Sequence, residues 1–295
     1  MYAIAGVTGH TGKVVADTLL SQGRKVRVIV RSEEKGKGYK ARGAEVARAS
    51  VDDAAALAKA LEGAEGAYLL VPPNPTHPDP VSNGREVVNA IGAALAQAKV
   101  PHVVFLSSVG GQHAAGNGPI QWLHYAEQTL PKKAPATRFT FLRPGYFIEN
   151  LGNLLAAVRG GGVLPAIFNP EKRIGMIASH DIGITAAKAL VEPPAATQVI
   201  ELSGPVDYSY ADAAKEFAAA LGKDVKVFRI PPEGVVAGLT QAGVPAPFAR
   251  LYKEMGEAID SGHVDFEGKG VRRVHGATTL ATVIKQLVHA QQGYE

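Results

Sequence analysis

The 295-residue chain contains no cysteine. Disulfides, thiolate nucleophiles, thiolate metal sites and iron–sulfur clusters are excluded together. Long apolar runs are missing too. No stretch approaches the ~18 apolar residues of a membrane span, and the apolar start Tyr2–Val7 turns too soon for a signal peptide. A cytoplasmic location with no membrane partner is expected. Neither an HExxH nor a Walker A sequence occurs, and the nine histidines offer no pair at metal spacing with acidic partners, so no metal is expected. Charge of one sign is scarce: 31 Lys and Arg against 27 Asp and Glu leave +4. Lys132-Lys133 is too short a basic run for direct nucleic-acid binding. What is present is apolar: 46% hydrophobic against 20% charged residues, enough for a sizeable core. The length suits one large domain or a large and a small one.

Strand-like and helix-like segments alternate through the first half. Tyr2–Ala5, Lys25–Val30, Glu45–Ala47, Ala67–Val71, His102–Leu106 and Arg138–Leu142 read as strands. Between them, Lys13–Gln22, Asp52–Leu61, a helix capped by Ser82 and running to Ala98, and Ile120–Leu130 read as helices. This is the β-α repeat of a parallel sheet covered on both faces. The second half is less regular, with strands expected at Ile174–Ile177, Val199–Leu202 and Val225–Ile230, helices at Leu151–Arg159, Asp181–Leu190 and Ala211–Leu221, and two or three more helices after them. The expected organisation is a domain over residues 1–150, to which 174–204 return, and a small lobe made of 151–173 and 205–295.

The strongest motif is Gly6-Val7-Thr8-Gly9-His10-Thr11-Gly12, placed after a strand and opening a helix. Gly6 suits a tight turn, Gly9 close backbone approach to a pyrophosphate, and Gly12 close packing of helix on strand. The helix N-terminus offers unpaired N–H groups to the anion, and Thr8 and Thr11 add hydroxyls. The fold expected is α/β: a Rossmann-type doubly wound parallel sheet with a small C-terminal α/β lobe. The next strand ends at Val30-Arg31-Ser32, where an NAD-binding chain usually places Asp or Glu. A guanidinium pairs with a 2′-phosphate that a carboxylate would repel. Arg31 and Ser32, reinforced by Lys35, Lys37 and Arg42, therefore point to NADP(H).

The loop GVTGHTG, the following VRS, LRPGYFIEN at 142–150 and the segment His180–Gly183 together resemble the NmrA-like branch of the atypical short-chain dehydrogenase/reductases over essentially the whole chain. The branch includes NADPH-dependent quinone oxidoreductases and triphenylmethane reductases. The resemblance implies an adenine pocket at Ser50 and Val51, where the usual Asp contact is altered. It implies a ribose site over Leu70, Val71 and Pro72, with Ser107 and Ser108 at the end of the fifth strand. Pro144, Gly145, Tyr146 and Phe147 would line the nicotinamide and substrate side, with Glu149 and Asn150 behind.

Typical members of the superfamily protonate a carbonyl with a Tyr-x-x-x-Lys pair, and none of the nine tyrosines here has Lys four residues on. Two readings follow. In the first, a quinone or similar electron-poor small molecule accepts a hydride, and its anionic product takes protons from water, so no strong acid is demanded. The resemblance then directs attention to His124 and Tyr125 near the usual catalytic position, with His124 and Glu127 similar to a His–Glu arrangement in quinone reductases. Tyr146 could instead hydrogen-bond the acceptor oxygen. In the second, the chain is a sensor that binds the cofactor without turnover and acts through a regulatory protein partner, for which Leu239, Val244, Phe248 and Leu251 are apolar candidates if not core. The sequence leaves a homo-oligomer open.

Overall fold

Tyr68 and its neighbours show why the central strands are apolar throughout: side chains alternate across a strand, and here both sides are covered. Ala67 and Leu69 enter one core, Tyr68 the other. Val103 and Phe105 likewise face away from Val104. The structure, a computed structural model, describes residues 1–290; the end of the expected lobe, with Tyr294, lies outside the described residues.

The first part of the chain runs β1 (Tyr2–Ile4), α1 (His10–Ser21), β2 (Val26–Val30), α2 (Lys37–Lys40), β3 (Glu45–Arg48), α3 (Ala54–Leu61), β4 (Gly66–Leu70), α4 (Pro80–Ala98), β5 (His102–Leu106), α5 (Gln121–Lys133) and β6 (Arg138–Pro144). The second part runs β7 (Tyr146–Phe147), α6 (Leu155–Gly161), β8 (Val163–Ala166), β9 (Ile174–Ile177), α7 (Ser179–Val191), β10 (Gln198–Ser203), β11 (Asp207–Tyr208), α8 (Tyr210–Leu221), β12 (Lys226–Arg229), α9 (Val235–Gln241), α10 (Ala246–Ser261), β13 (Arg272–His275) and α11 (Leu280–Ala290).

Eight strands form one parallel sheet in the order β13-β10-β6-β5-β4-β1-β2-β3. α1 and α7 pack on one face, and α3, α4 and α5 on the other. This is the expected doubly wound Rossmann-type fold. The strand order reverses between β1 and β4, and the crevice beyond their carboxyl ends is where such sheets bind ligands.

The helix after β4 is capped by Asp79 rather than Ser82. The Asp79 carboxylate accepts from Ser82 N (3.1 Å) and from Ser82 Oγ (2.7 Å), and Pro80 takes the first helical position where its missing N–H costs nothing. The chain returns to the large sheet by more than one route. β10 joins it, but so does β13, which falls within the span assigned to the lobe, whereas β9 pairs with β7 and β11 in a separate three-stranded sheet. β8 and β12 form a further parallel pair. A third core, built from Leu155, Phe168, Phe217 and Ile284 among others, lies beneath these pieces.

One buried ion pair ties the sheet to α5. Arg143, on β6, is 5% exposed. It donates from Nε and Nη2 to Glu127 Oε1 (2.9 Å) and Oε2 (2.6 Å), and from Nη1 to Glu267 (2.5 Å). Ser107 Oγ, at the end of β5, donates to Glu127 Oε1 (2.6 Å). Breaking such a pair on one side leaves an uncompensated buried charge. Glu127→Leu is therefore expected to destabilise by about 3–5 kcal/mol, and Glu127→Leu with Arg143→Met by clearly less. Urea denaturation of the two variants checks this, and a double variant as unstable as the single one would disprove it.

Candidate active site

The glycine loop lies where β1 meets α1. Gly6 has φ +70° and faces Leu70: a Cβ there would stand 2.6 Å from Leu70 Cδ2. A Cβ on Gly12 would stand 2.5 Å from Ala5 O and from both C and O of Gly6, so helix and strand touch through backbone. Gly9 is different. A Cβ there would meet only Gly6 O at 3.4 Å, leaving its other side open. Gly9 also precedes α1 without a side-chain cap, so the first N–H groups of the helix are offered outward. Two tyrosines brace the loop: Tyr39 Oη donates to Val7 O (3.1 Å) and Tyr68 Oη to Thr11 Oγ1 (2.8 Å). Thr11 is buried, with its hydroxyl engaged there, while Thr8 and His10 are exposed. Burial pushes the Tyr68 hydroxyl far above its usual range despite this bond.

In front of the loop is a cavity of about 340 Å³. Gly6, Val7 and Thr8 of the loop, the cations Arg31 and Lys35, the stretch Ser50, Val51 and Asp52, and Leu70, Pro72 and Pro73 line it. Of the other expected cations, Lys37 pairs with Glu34 and Arg42 with Asp17, so their charge is spent elsewhere. Ser32 is exposed and precedes the short turn Glu33–Gly36. Asp52 was read in the sequence only as a helix start, but the start is capped by Asp53, which accepts from Ala56 N (3.0 Å), and Asp52 borders the cavity.

A second cavity, of about 320 Å³, lies under the smaller sheets. It shares Leu70 and Pro73 with the first. Val71, Ser107, Ser108, Gly145, Tyr146 and Phe147 line it, and Trp122, Phe248, Tyr252 and Phe266 give it aromatic walls. Pro144 stands just behind, its carbonyl accepting from Val109 N (2.9 Å). Gly145 is required here, since a Cβ would fall 2.0 Å from Gly175 O. Glu149 is turned away and accepts from Ser179 N and Oγ at the start of α7.

The three catalytic candidates part company. Tyr146 borders the second cavity with its hydroxyl 2.9 Å from that of Tyr210. Burial pushes the Tyr146 hydroxyl up to about 12, and the Tyr210 hydroxyl also lies well above the usual range, again chiefly through burial. Tyr125 does not face the cavity, contrary to expectation: it packs toward α4, its hydroxyl donating to Asn89 Oδ1 (3.2 Å) under the guanidinium of Arg85. The helical turn that carries Trp122 into the cavity points Tyr125 elsewhere. His124 lies outside the cavity wall as well. Its Nδ1 donates to Gly111 O (2.9 Å). Glu127 is held by Arg143 and Ser107 rather than by His124.

Several site residues escaped the sequence. Phe266 reaches the cavity from the segment after α10, with no local motif to mark it. Phe248 was considered as an apolar interface residue, yet it packs at 6.3 Å from the Trp122 ring, 3% exposed. Only the spacing of aromatics along α10 hinted at this inward face.

Fold and site together define an α/β protein of the dinucleotide-binding type, with a second, aromatic-walled cavity beside the one at the glycine loop. The chain belongs to the NmrA-like family, which it matches over residues 2–273. It is 27% identical to quinone oxidoreductase 2 of Escherichia coli over 293 residues, 97% of this chain and 98% of that one. It is 28% identical to an NAD(P)H azoreductase of Xenophilus azovorans over 260 residues, 86% of each. The structure of the Escherichia coli NADPH-dependent quinone oxidoreductase complexed with NADPH superposes with a TM-score of 0.81 at 25% identity, covering 98% of this chain and 100% of that one.

The two glycines make opposite predictions for stability. Gly12→Ala forces backbone apart and is expected to cost about 1–3 kcal/mol, whereas Gly9→Ala leaves the denaturation midpoint nearly unchanged. Equal midpoints for the two variants would show that α1 can slide along β1.

Proposed function

We propose that the protein is an NADPH-dependent oxidoreductase that reduces a quinone or a similar electron-poor acceptor, without a Tyr-x-x-x-Lys dyad. The observation that carries this is the wall of Leu70 and Pro73 common to the two cavities. It brings a small molecule in the aromatic cavity next to whatever lies across β4. The residues fit NADP(H): the glycine loop is pressed against β1 and Leu70 everywhere except at Gly9, where backbone alone meets the opening. The loop and the start of α1 would hold the pyrophosphate, Arg31 and Lys35 the 2′-phosphate, and Ser50, Val51 and Asp52 the adenine side. Leu70, Val71 and Pro72 would lie against the ribose, and Gly145 and Phe147 on the nicotinamide side. NADPH bound there supplies a hydride.

The rest is the work of this chain. Trp122, Phe248 and Phe266 exclude water and offer flat faces to a flat acceptor. The anionic product of quinone reduction is a weak base and can collect its proton from solvent, so the outward turn of Tyr125 and the position of His124 beyond the wall are no obstacle. The lobe would contribute Phe248, Tyr252 and Phe266 to the acceptor site, alongside Ser107, Trp122 and Tyr146 of the first 150 residues. Of the four apolar candidates for a partner surface, Phe248 and Leu251 are buried and Leu239 and Val244 half-buried; the burial of the first two supports an enzyme over a sensor. The relatives named for quinone and azo reduction support the same class.

Steady-state NADPH oxidation against quinones, azo dyes and triphenylmethane dyes, with NADH in parallel, tests the proposal. Saturable turnover with a quinone is expected; tight NADPH binding without turnover on any acceptor would refute it. Arg31→Asp is expected to weaken NADPH binding by about tenfold or more, equivalent to at least ~1.4 kcal/mol, with NADH binding nearly unchanged. Equal effects on the two cofactors would remove the 2′-phosphate from Arg31.

A further inference from the structure

Tyr146 and Tyr210 form a hydroxyl pair. Tyr210 opens α8, is 3% exposed and does not border the aromatic cavity. Its ring is wedged between Phe168 (centroids 4.9 Å) and Tyr146 (6.2 Å), both edge-on. Among the described residues, the only hydrogen-bonding partner of its hydroxyl is the Tyr146 hydroxyl at 2.9 Å.

Either oxygen could donate, but the two directions are not equivalent. If Tyr146 donated to Tyr210, the Tyr210 proton would be buried with no acceptor, forfeiting a bond that water supplies in the unfolded chain. If Tyr210 donates, every group is served: its proton goes to Tyr146, and the Tyr146 proton is left for the cavity. Two other polar side chains stand near the Tyr146 hydroxyl, Asn150 within hydrogen-bonding reach and Tyr252, and both are on the cavity wall, where a ligand oxygen would compete with Asn150 for the proton.

The backbone fixes this position. β7 is held in register by Tyr146 opposite Met176 of β9, and the bare backbone of Gly145 lies against Gly175. The hydroxyl therefore cannot retreat with the strand. Both phenols keep their protons across the neutral range because burial disfavours the phenolates. Tyr146 is thus a hydrogen-bond donor and not an acid.

We infer that Tyr210, a positioning residue, turns the Tyr146 proton into the cavity, and that this donor selects acceptors whose oxygen becomes anionic on reduction. The inference rests on the reduction proposed above. In that reaction the quinone gains a hydride, two electrons with one hydrogen, and becomes the hydroquinone monoanion while NADPH becomes NADP⁺. The second proton comes from solvent. The Tyr146 hydrogen bond strengthens as charge grows on the oxygen, which is the condition for lowering a barrier rather than merely binding substrate.

The test separates the donor from the turnover. Trp122 is the single tryptophan and lines the cavity, so quenching of its fluorescence reports occupancy. The ligands are 4-nitrophenolate, which carries the oxyanion, and 4-nitrotoluene, which has the shape without it. Tyr146→Phe and Tyr210→Phe are each expected to weaken nitrophenolate binding by about fivefold, the worth of one hydrogen bond, with nitrotoluene unchanged. In turnover with 2-methyl-1,4-naphthoquinone, kcat is expected to fall by about tenfold or more in Tyr146→Phe and about fivefold in Tyr210→Phe, with KM moving less. Equal nitrophenolate affinity in all three proteins overturns the inference, as does equal loss of both ligands, which marks a merely structural role. An undiminished kcat also overturns it. If the wild-type protein oxidises NADPH with no quinone while the nitrophenolate difference persists, the proposed reduction fails and the donor pair stands.

Discussion

Burying a guanidinium is expensive, and Arg143 is buried at the junction of four parts of the chain. It sits on β6, grips Glu127 of α5, reaches through that carboxylate to Ser107 at the end of β5, and pairs with Glu267 from the segment after α10. A charge withdrawn from water is tolerated only with its partners in good geometry, so these four parts are placed relative to one another by one side chain. Phe266, beside Glu267, is thereby set against the aromatic cavity. The same segment is held a second time by Glu201, which is fully buried and accepts from Glu267 N (2.5 Å) and Arg273 (3.1 Å). Arg273 in turn covers the Phe266 ring at 4.0 Å. The far wall of the cavity is a loop by secondary structure, but charge pairs secure it from both sides.

The phosphate loop is governed by distance instead of charge. Gly6 and Gly12 are required because other backbone or Leu70 occupies the space, and Gly9 because a ligand would. The sequence carries this reasoning well, since a glycine states a local steric condition. The parallel sheet was equally legible, because strands buried on both faces read as continuous apolar runs. The position of Arg31 was legible for the same local reason: it directly follows β2 and borders the cavity at the loop.

The catalytic side was far less legible, and the causes are particular. Tyr125 and Trp122 are three residues apart on one helix, yet Trp122 lines the cavity while Tyr125 turns to Asn89 and Arg85 of α4, a division that spacing along the helix does not state. Glu127 resembles half of a His–Glu pair in sequence, but its partner Arg143 comes from the adjoining strand. Tyr210 stands sixty-four residues from the hydroxyl it contacts, and Phe266 arrives on the return path to β13. Such contacts depend on short strands, β7, β8 and β11, whose two to four residues are too brief to show a period of two.

These features bear on how a reductase can dispense with a general acid. In an ordinary carbonyl reduction the product is an alkoxide, far more basic than water tolerates, and a proton must be delivered in the step itself. A hydroquinone monoanion is stabilised by its own ring, so a donor that only shares its proton suffices. A phenol raised by burial is suited to that part, because it cannot ionise at neutral pH and its hydrogen bond is not diluted by water. On the reading proposed above, the cavity would supply the burial and Tyr210 the direction. The chemistry left to the protein would be to hold two flat molecules together in a dry place and to meet the growing charge on one oxygen.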